Sequence, residues 1–381
     1  MSSAPSDTSY GGTLDAILLA LRTAALPADW RLVAEDVEQG VTLTYRHDAR
    51  LLVVELEEAD ASRPAYAVTS RFNVYYAVLG RPSDTLSADE RRLLDGIVET
   101  LRAAEDTLPA SSHQHAGSRV QFREIRPGRL LVEERPGEYY ANPYVGCLLA
   151  CTFCYAIHRA AFSRSLRGLP IAEWGRWLDV KTDAPEVLAR EVRDRAPGVV
   201  RMSPIVTDPY QPVERKYRVM RGCLESLAGT PFSPVVLTRS SLVLRDLDVL
   251  ARCHAPRVGM SIPTDDDAMR VAFEPETESI AARVDTLKRL AFAGITTFAI
   301  VQPMLPLDPD RLAEMVGPHV TAVRVGPMFE KQRASAIAKR LGRTEMLDPS
   351  WEHTTAERLK HAFLRRGVVM NPETKEWSML R

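Results

Sequence analysis

The stretch NPYVGCLLACTFCYAIHR, residues 142–159, places three of the chain's five cysteines within eight residues. Cys147, Cys151 and Cys154 have the spacing C-x3-C-x2-C. Three thiols so close together in one segment are typical of metal binding or redox chemistry rather than of disulfide bonds. This segment therefore decides how the rest of the chain is interpreted.

The composition is that of an ordinary globular protein. The 381 residues are 45% hydrophobic and 26% charged, with a net charge of −1. The amino-terminal segment lacks the basic start of a secretory signal, and no run of about 18 apolar residues predicts a transmembrane helix. Five cysteines in this length do not make a disulfide framework. We therefore expect a cytoplasmic protein that does not associate with membranes.

Residues 1–110 are predicted to form a small α+β domain with the element order α-β-β-β-α and strands at 41–47, 50–58 and 65–79. Its second helix is predicted to begin with a capping box of Ser87 and Glu90. The segment has ten arginines, no lysine and 18 acidic residues, a net charge of −8. Because nucleic-acid affinity depends largely on neutralising phosphates, we expect this domain to act as a docking or lid domain for another kind of substrate. Residues 111–135 are predicted to be a linker.

From residue 136 onwards, short apolar strands alternate with helices. Strands are predicted at 199–206, 234–240, 257–262, 295–305 and 320–328, and helices at 214–229, 244–253, 278–294 and 308–318. This alternation indicates βαβ units and a parallel sheet covered by helices. In such folds ligands bind at the carboxyl ends of the strands. We expect a core at 136–330 and a helical extension at 331–381.

Two chemistries suit the three clustered thiols. A zinc ion would need a fourth ligand, and His158, four residues after Cys154, would complete a Cys₃His site. An iron–sulfur cluster held by only three cysteines would leave one iron open for another ligand, because a [4Fe–4S] cluster normally has four thiolates. Cys223 and Cys253 are isolated on predicted helices, where a cysteine usually acts as a small buried hydrophobe.

Beyond the cysteine spacing, the chain resembles the radical S-adenosylmethionine (SAM) superfamily, and within it the branch of spore photoproduct lyase, often labelled DNA-repair photolyase. The similar segments, in order over about 140–330, are NPYVGCLLACTFCYA, LDVKTDAPEVLAREV, VTDPYQPVERKYRVMRGCLESL, VLTRSSLVLRDLDVL, VGMSIPT and FEPETESIAARVDTLKRLAFAGI. The resemblance implies a partial (β/α)₆ barrel, a [4Fe–4S] cluster, and SAM held by the open iron. It further implies cleavage of SAM to a 5′-deoxyadenosyl radical that abstracts hydrogen from a substrate, and an electron donor such as flavodoxin or ferredoxin.

The same resemblance implies roles for individual residues. The three cysteines would each ligate one iron, and Arg239 stands where relatives have a lysine that contacts the SAM carboxylate. Arginine can bind a carboxylate through two parallel hydrogen bonds. The other positions implied for cofactor binding are Phe153, Ser203, Thr207, Asp208 and Ser261, and the candidate catalytic residues are Tyr210 and Glu274. The residues alone leave a structural alternative to these roles: the side chains could cap turns and helices or pack in loops.

The sequence also departs from the spore photoproduct lyase pattern. That enzyme returns a hydrogen atom to its substrate from a cysteine after the cluster, and no thiol lies between Cys154 and Cys223. Together with the acidic first domain, this favours a peptide or a small natural product as substrate. Repair of a DNA lesion is the second hypothesis, and a zinc-bearing binding module is the third.

Overall fold

The computed structural model describes residues 13–27, 29–37, 41–48, 50–58, 65–69, 72–79, 85–105, 120–157, 160, 164, 169, 173–202 and 206–370. The chain divides into two compact units. The first contains residues 1–119 and 156–173, and the second contains residues 120–155 and 174–381. Within the described residues, no helix is long and apolar enough to cross a membrane.

The first unit is an antiparallel sheet covered by two helices. Its elements are α1 (Thr13–Thr23), β1 (Arg31–Asp36), β2 (Val41–His47), β3 (Arg50–Glu58), β4 (Ala67–Val68), β5 (Phe72–Leu79) and α2 (Ala88–Glu105). The strand order is β1-β2-β3-β5-β4. Apolar residues on α1 and α2 pack against alternate residues of the strands, such as Leu43, Tyr45 and Val54, and form one core.

The predicted helix cap of α2 is confirmed. The backbone N–H of Ser87 donates to Glu90 Oε2 at 2.7 Å, and the N–H of Glu90 donates to Ser87 Oγ at 3.4 Å. The sequence prediction had three strands here, whereas the structure adds β1 and divides the strand predicted at 65–79 into the two-residue β4 and β5. Both β1 and β4 are edge strands, and short edge strands carry a weak hydrophobic alternation because only one side is paired.

The second unit contains two sheets. Its strands are β6 (Gln121–Ile125), β7 (Val132–Arg135), β8 (Glu138–Tyr140), β9 (Tyr144–Gly146), β10 (Trp177–Lys181), β11 (Val199–Met202), β12 (Ser233–Thr238), β13 (Arg257–Ser261), β14 (Thr296–Val301), β15 (Ala322–Val325) and β16 (Val369–Met370). The smaller sheet has the order β6-β10-β9, and the larger has the order β16-β15-β14-β13-β12-β11-β8-β7. Two of these strands, β6 and β7, lie within the predicted linker.

Helices connect the parallel strands of the larger sheet. They are α3 (Ala184–Glu191), α4 (Glu214–Tyr217), α5 (Val219–Leu227), α6 (Leu247–Leu250), α7 (Asp267–Phe273), α8 (Ile280–Phe292), α9 (Pro309–Val316), α10 (Lys331–Arg340) and α11 (Pro349–Leu364). All neighbouring strands from β8 to β16 are parallel, and only β7 is antiparallel to its neighbour. The predicted α/β class with a parallel sheet is therefore confirmed. The described strands form an open sheet, since β7 and β16 are its edges.

The two faces of the larger sheet differ in what covers them. Val200, Val236 and Val258 face the helices and belong to the main core. The opposite face, which we call the inner face, carries an apolar cluster of Val235, Leu237, Phe298 and Ala322. On this face a Cβ at Gly259 would lie 2.2 Å from the Phe298 ring, so only glycine allows the ring to lie there.

Candidate functional site

The cysteine loop begins at a backbone conformation that requires glycine. Gly146, the last residue of β9, has φ of +86°, and a Cβ there would lie 2.5 Å from the Trp177 ring. Cys147 follows directly. Cys147 and Cys151 are buried, and Cys154 is partly exposed. The loop therefore turns its first two thiols inward at the carboxyl end of β9.

Gln211 connects this loop to the TDPYQP segment that follows β11. Its Nε2 donates to Cys147 Sγ at 3.0 Å, and its Oε1 accepts from the Leu148 N–H at 2.9 Å. Gln211 is 0% exposed. Since both ends of the amide are used within the loop, Gln211 fixes the position of the first cysteine.

Cys151 lies beside a buried group of charges. Its Sγ is 4.0 Å from Glu274 Oε1, and the same oxygen accepts from Arg239 Nε at 2.6 Å. The other oxygen of Glu274 is 2.7 Å from a guanidinium nitrogen of Arg283. Glu274 and Arg283 are both 0% exposed. We call Arg239, Glu274 and Arg283 the buried triad.

The buried triad has one negative and two positive side chains, and this shapes the acidities around it. Burial raises the pKa of Glu274, but Arg283 and Arg239 outweigh it and hold that pKa below its ordinary value. Burial raises the pKa of the Cys151 thiol well above its ordinary value, and Arg239 opposes that rise. A thiolate at Cys151 would therefore be stabilised chiefly by Arg239 or by a bound metal.

Asp208 holds the backbone that leads to Arg239. Its Oδ1 accepts from Thr238 Oγ1 at 2.6 Å and from the Tyr210 N–H at 2.9 Å, and its Oδ2 accepts from the Arg239 N–H at 2.8 Å. Burial raises the pKa of Asp208 in spite of these donors. Thr207 is also buried, and its Oγ1 accepts from Gln211 Nε2 at 3.4 Å. Both predicted cofactor-binding residues are therefore bonded to the chain itself.

Tyr210, one of the two predicted catalytic residues, is 1% exposed. Its hydroxyl donates to Asp246 Oδ2 at 3.1 Å, and Asp246 also accepts from Arg245 and Arg221. Burial, followed by the charge of Asp246, raises the pKa of Tyr210 well above its ordinary value. The phenol is thus held as a neutral donor.

A cavity of about 180 Å³ lies next to Arg239. Its lining includes Leu149, Tyr210, Arg215, Ser240 and Glu278. One wall is therefore the cysteine loop, and another is the turn after β12. Arg239 and Tyr210 both border the cavity.

The remaining predicted positions are distributed as follows. Ser261 ends β13 and is 2% exposed, and its carbonyl oxygen accepts from Arg283 at 2.8 Å. Phe153 is buried with Cys147, Cys151 and Phe273 in one cluster. Ser203 and His158 lie outside the described residues.

A zinc ion and an iron–sulfur cluster place different demands on the thiols of the loop. In the part of the chain that the structure describes, no group of three or more His, Cys, Asp and Glu side chains is arranged to hold one metal ion. Cys154 and Cys147 are nevertheless close enough to Cys151 to raise its pKa. A zinc ion about 2.3 Å from every sulfur demands tighter convergence than a cluster that takes one thiolate per iron. The loop suits the cluster better.

The comparison with solved structures agrees with this arrangement of strands and loop. A double mutant of spore photoproduct lyase with bound AdoMet and dinucleoside spore photoproduct superposes with a TM-score of 0.50 and 15% sequence identity, covering 72% of this chain and 93% of that one. In fold, the chain resembles spore photoproduct lyase. The similarity to spore photoproduct lyase that the sequence predicts is thereby confirmed at the level of the fold.

Sequence comparisons give relatives without an assigned function. An uncharacterized protein of Methanocaldococcus jannaschii is 31% identical over 172 residues, which are 45% of this chain and 62% of that protein. An uncharacterized protein of Mycobacterium tuberculosis is 32% identical over 179 residues, 45% of this chain and 51% of its own length. The chain thus spans only about half to three fifths of these relatives. No family model matches the chain.

Two residues of the site, Arg283 and Gln211, were not assigned a role from the sequence. A signal for Arg283 was present, because Ile280, Arg283, Leu287 and Leu290 recur at helical spacing on the buried side of α8. An arginine within such an apolar stripe needs a buried anion as partner. Only the fold identifies that anion as Glu274, which follows α7.

Proposed function

We propose that this protein is a radical SAM enzyme in which Cys147, Cys151 and Cys154 hold a [4Fe–4S] cluster. The proposal rests on one observation above all: in a loop with three thiols, the Sγ of Cys151 lies 4.0 Å from Glu274 of the buried triad, whose Arg239 directly follows the parallel strand β12. When bound, the cluster would pass one electron from an external donor to SAM, and this would supply methionine and a 5′-deoxyadenosyl radical able to abstract hydrogen from the substrate.

The chain's own residues bind SAM, orient the groups that hold it, and exclude water from the site. Arg239 donates to Glu274, whose same oxygen lies 4.0 Å from Cys151 Sγ, and it borders the cavity, so it is the residue we expect to bind the SAM carboxylate. Glu274 and Arg283 keep that guanidinium in place. Burial of Cys147 and Cys151 keeps water away from the reacting centre.

For the substrate, we propose a peptide or a small natural product. The first 110 residues carry ten arginines and 18 acidic residues, and a domain with this charge repels a polyanion. Spore photoproduct lyase has been solved with a dinucleoside lesion, and DNA repair is therefore the alternative that experiment must separate. An electron donor such as flavodoxin or ferredoxin is expected as a partner.

The test is anaerobic reconstitution of the full chain with iron and sulfide. We expect about four irons per chain, a brown protein, and formation of 5′-deoxyadenosine from SAM after reduction with dithionite. Cys151→Ser should abolish both cluster and deoxyadenosine. Cys253→Ser is the matched control, because this buried thiol follows α6, outside the cysteine loop, and donates to the carbonyl oxygens of Leu224 and Val249.

Two results would contradict the proposal. Deoxyadenosine formation by Cys151→Ser would remove the cluster from the assigned site. A colourless protein that retains one zinc per chain would favour the binding-module alternative. With an active enzyme, deuterated peptides and a deuterated dinucleotide lesion are compared for transfer of label into deoxyadenosine, and label from the lesion alone would reverse the proposed substrate class.

A further inference from the structure

The carboxyl ends of four adjacent strands bring polar and charged residues into one row on the inner face. Strand pairing aligns Ser261 on β13 with Ile300 on β14, and Ile300 with Arg324 on β15. Arg239, the first residue after β12, continues the same row on the other side of Ser261. Since residues in register on parallel strands face the same side, the row has an arginine at each end.

A second arginine of the inner face acts on Arg324. Arg201 lies on β11, in register with Val235, and three strands separate it from Arg324 on β15. The two strands are about 19 Å apart at about 4.8 Å for each step, a separation that two long side chains reduce. Arg201 contributes to the lowered pKa of Arg324.

The arginines on this face differ in whether an anion balances them. Arg239 is paired with Glu274, and Arg201 is paired with Glu134 and Glu138. Arg324 has no hydrogen-bond or ion-pair partner among the residues that the structure describes. Its side chain is half-buried, and burial, followed by Arg201, lowers its pKa. Among the described residues no carboxylate balances this partly desolvated cation, and an anionic ligand would supply the missing charge.

Apolar surface adjoins this cation. Tyr155, which follows Cys154, lies near enough to Arg324 to affect its pKa. The ring of Tyr155 meets that of Phe329 edge to face, with 6.1 Å between their centroids. Phe329 is 62% exposed and Tyr155 is 37% exposed. A cation next to exposed aromatic rings suits a ligand that has an anionic group beside an apolar one.

We propose that Arg324 binds a carboxylate of the substrate, and that Tyr155 and Phe329 contact the apolar group next to it. This inference rests on the proposed function, because it assigns Arg324 to the substrate and leaves Arg239 to SAM. One guanidinium balances one carboxylate charge and matches its planar geometry. A phosphate monoester would bring nearly two charges, and nucleic acid would meet the acidic first domain.

The test uses two probes that differ only in charge: N-acetylphenylalanine, which has a carboxylate, and N-acetylphenylalaninamide, which is neutral. Binding to the reconstituted, SAM-loaded enzyme is measured by calorimetry. We expect the carboxylate to bind at least tenfold more tightly than the amide. Arg324→Gln should abolish this preference, and Arg324→Lys should keep part of it, since lysine retains the charge but not the planar fork. The exposed Arg333→Gln on α10 is the matched control.

Several outcomes would overturn the inference. They are equal or absent binding of the two probes to the wild type, an unchanged preference in Arg324→Gln, and inorganic phosphate binding through Arg324 in place of the carboxylate. A loss of SAM affinity in Arg324→Gln would assign Arg324 to the cosubstrate and equally contradict it. The melting temperature of Arg324→Gln should equal or exceed that of the wild type, whereas a structural arginine predicts a fall. Iron and sulfide content, measured in each variant, tests the proposed function separately.

Discussion

Arg239 is the residue on which binding of SAM is expected to depend most. Replacing it by alanine removes the guanidinium but leaves all three thiols of the loop in place. We expect Arg239→Ala to weaken SAM binding at least tenfold, about 1.4 kcal/mol, without loss of iron. The SAM affinity of Arg239→Lys should lie between those of the wild type and Arg239→Ala, because the charge remains and the bidentate geometry is lost. Equilibrium dialysis with labelled SAM, together with iron analysis, measures both effects.

The exposed Arg358→Ala on α11 provides the control for Arg239, since it removes an arginine away from the cavity. If Arg239→Ala binds SAM as tightly as the wild type, Arg239 does not contact the cosubstrate. If iron is lost as well, the residue supports the loop rather than the ligand.

Arg283 is expected to be a structural member of the buried triad. It is 0% exposed, and its guanidinium reaches Glu274 and the carbonyl oxygens of Glu278 and Ser261. Breaking a buried pair by removing one partner typically costs about 3–5 kcal/mol, because the other charge stays buried. Arg283→Met should lower the free energy of unfolding in urea by about this amount. Arg289→Met, on the exposed side of the same helix, should leave it nearly unchanged.

At the residue scale, the sequence identifies side chains whose chemistry is rare in combination, and it does not identify their partners. Three thiols in one loop are recognisable without a structure. That Glu274 lies against Cys151 is not, because 123 positions separate them along the chain. The structure also changes the physical description of Asp208 and Tyr210, whose polar atoms bond to other parts of the chain.

At the scale of elements, the start of α2 depends on its capping box. Ser87 Oγ accepts from the N–H of Glu90, and Glu90 accepts from the N–H of Ser87. Ser87→Ala should destabilise this helix by about 1 kcal/mol. Amide hydrogen exchange in α2 should then be about fivefold faster, while exchange in α8 of the second unit should not change. Equal exchange in α2 before and after the substitution would show that the cap contributes nothing.

The same cap makes the stability of α2 depend on pH. The hydroxyl of Ser87 donates to Asp89 at 2.5 Å, and the pKa of Asp89 is lowered to about 2 from its ordinary value of 3.8. Because the pKa of Asp89 is lower in the folded state, its ionised carboxylate stabilises that state above about pH 3.8, and this stabilisation is lost as the pH falls towards 2. The destabilisation by Ser87→Ala should therefore be larger at pH 5 than at pH 2. Thermal melts followed by circular dichroism across this range measure the difference.

Elements with a strong repeat were predicted well from the sequence. The limits of β2 and β3 agree with the predicted strands at 41–47 and 50–58, because β2 alternates apolar and polar residues and β3 is rich in valine and leucine. The predicted helix at 244–253 is instead a 3₁₀ helix, Ser241–Asp246, followed by the short α6. Ser240 caps this turn by accepting from the Leu242 N–H. This side-chain bond competes with regular α-helical hydrogen bonding, and hydrophobic periodicity does not reveal it.

At the scale of the whole molecule, the number of strands and their order in the sheet could not be predicted from the sequence. The alternation of strands and helices predicts a parallel sheet, and the sheet is parallel from β8 to β16. Its order depends on pairings such as β11 with β8, which join segments some 60 residues apart. Hydrophobic periodicity describes one segment at a time and therefore contains no information on such pairs.

The charge of the whole molecule leads to a last prediction, on DNA. The chain has a net charge of −1 with 49 basic and 50 acidic residues, and the acidic excess lies in the first 110 residues. Each phosphate that a protein neutralises makes the logarithm of its affinity fall by about 0.9 per logarithm of salt concentration, so a protein that contacts six to ten phosphates has a slope of about −5 to −9. We expect this protein to bind a 25-base-pair duplex weakly, with a slope near zero between 50 and 200 mM salt in fluorescence anisotropy. The same duplex with a thymine-dinucleotide lesion should behave alike. A steep slope with the lesion, and none without it, would favour a repair enzyme, because extra phosphate contacts would then have to come from the second unit in spite of the charge on the first.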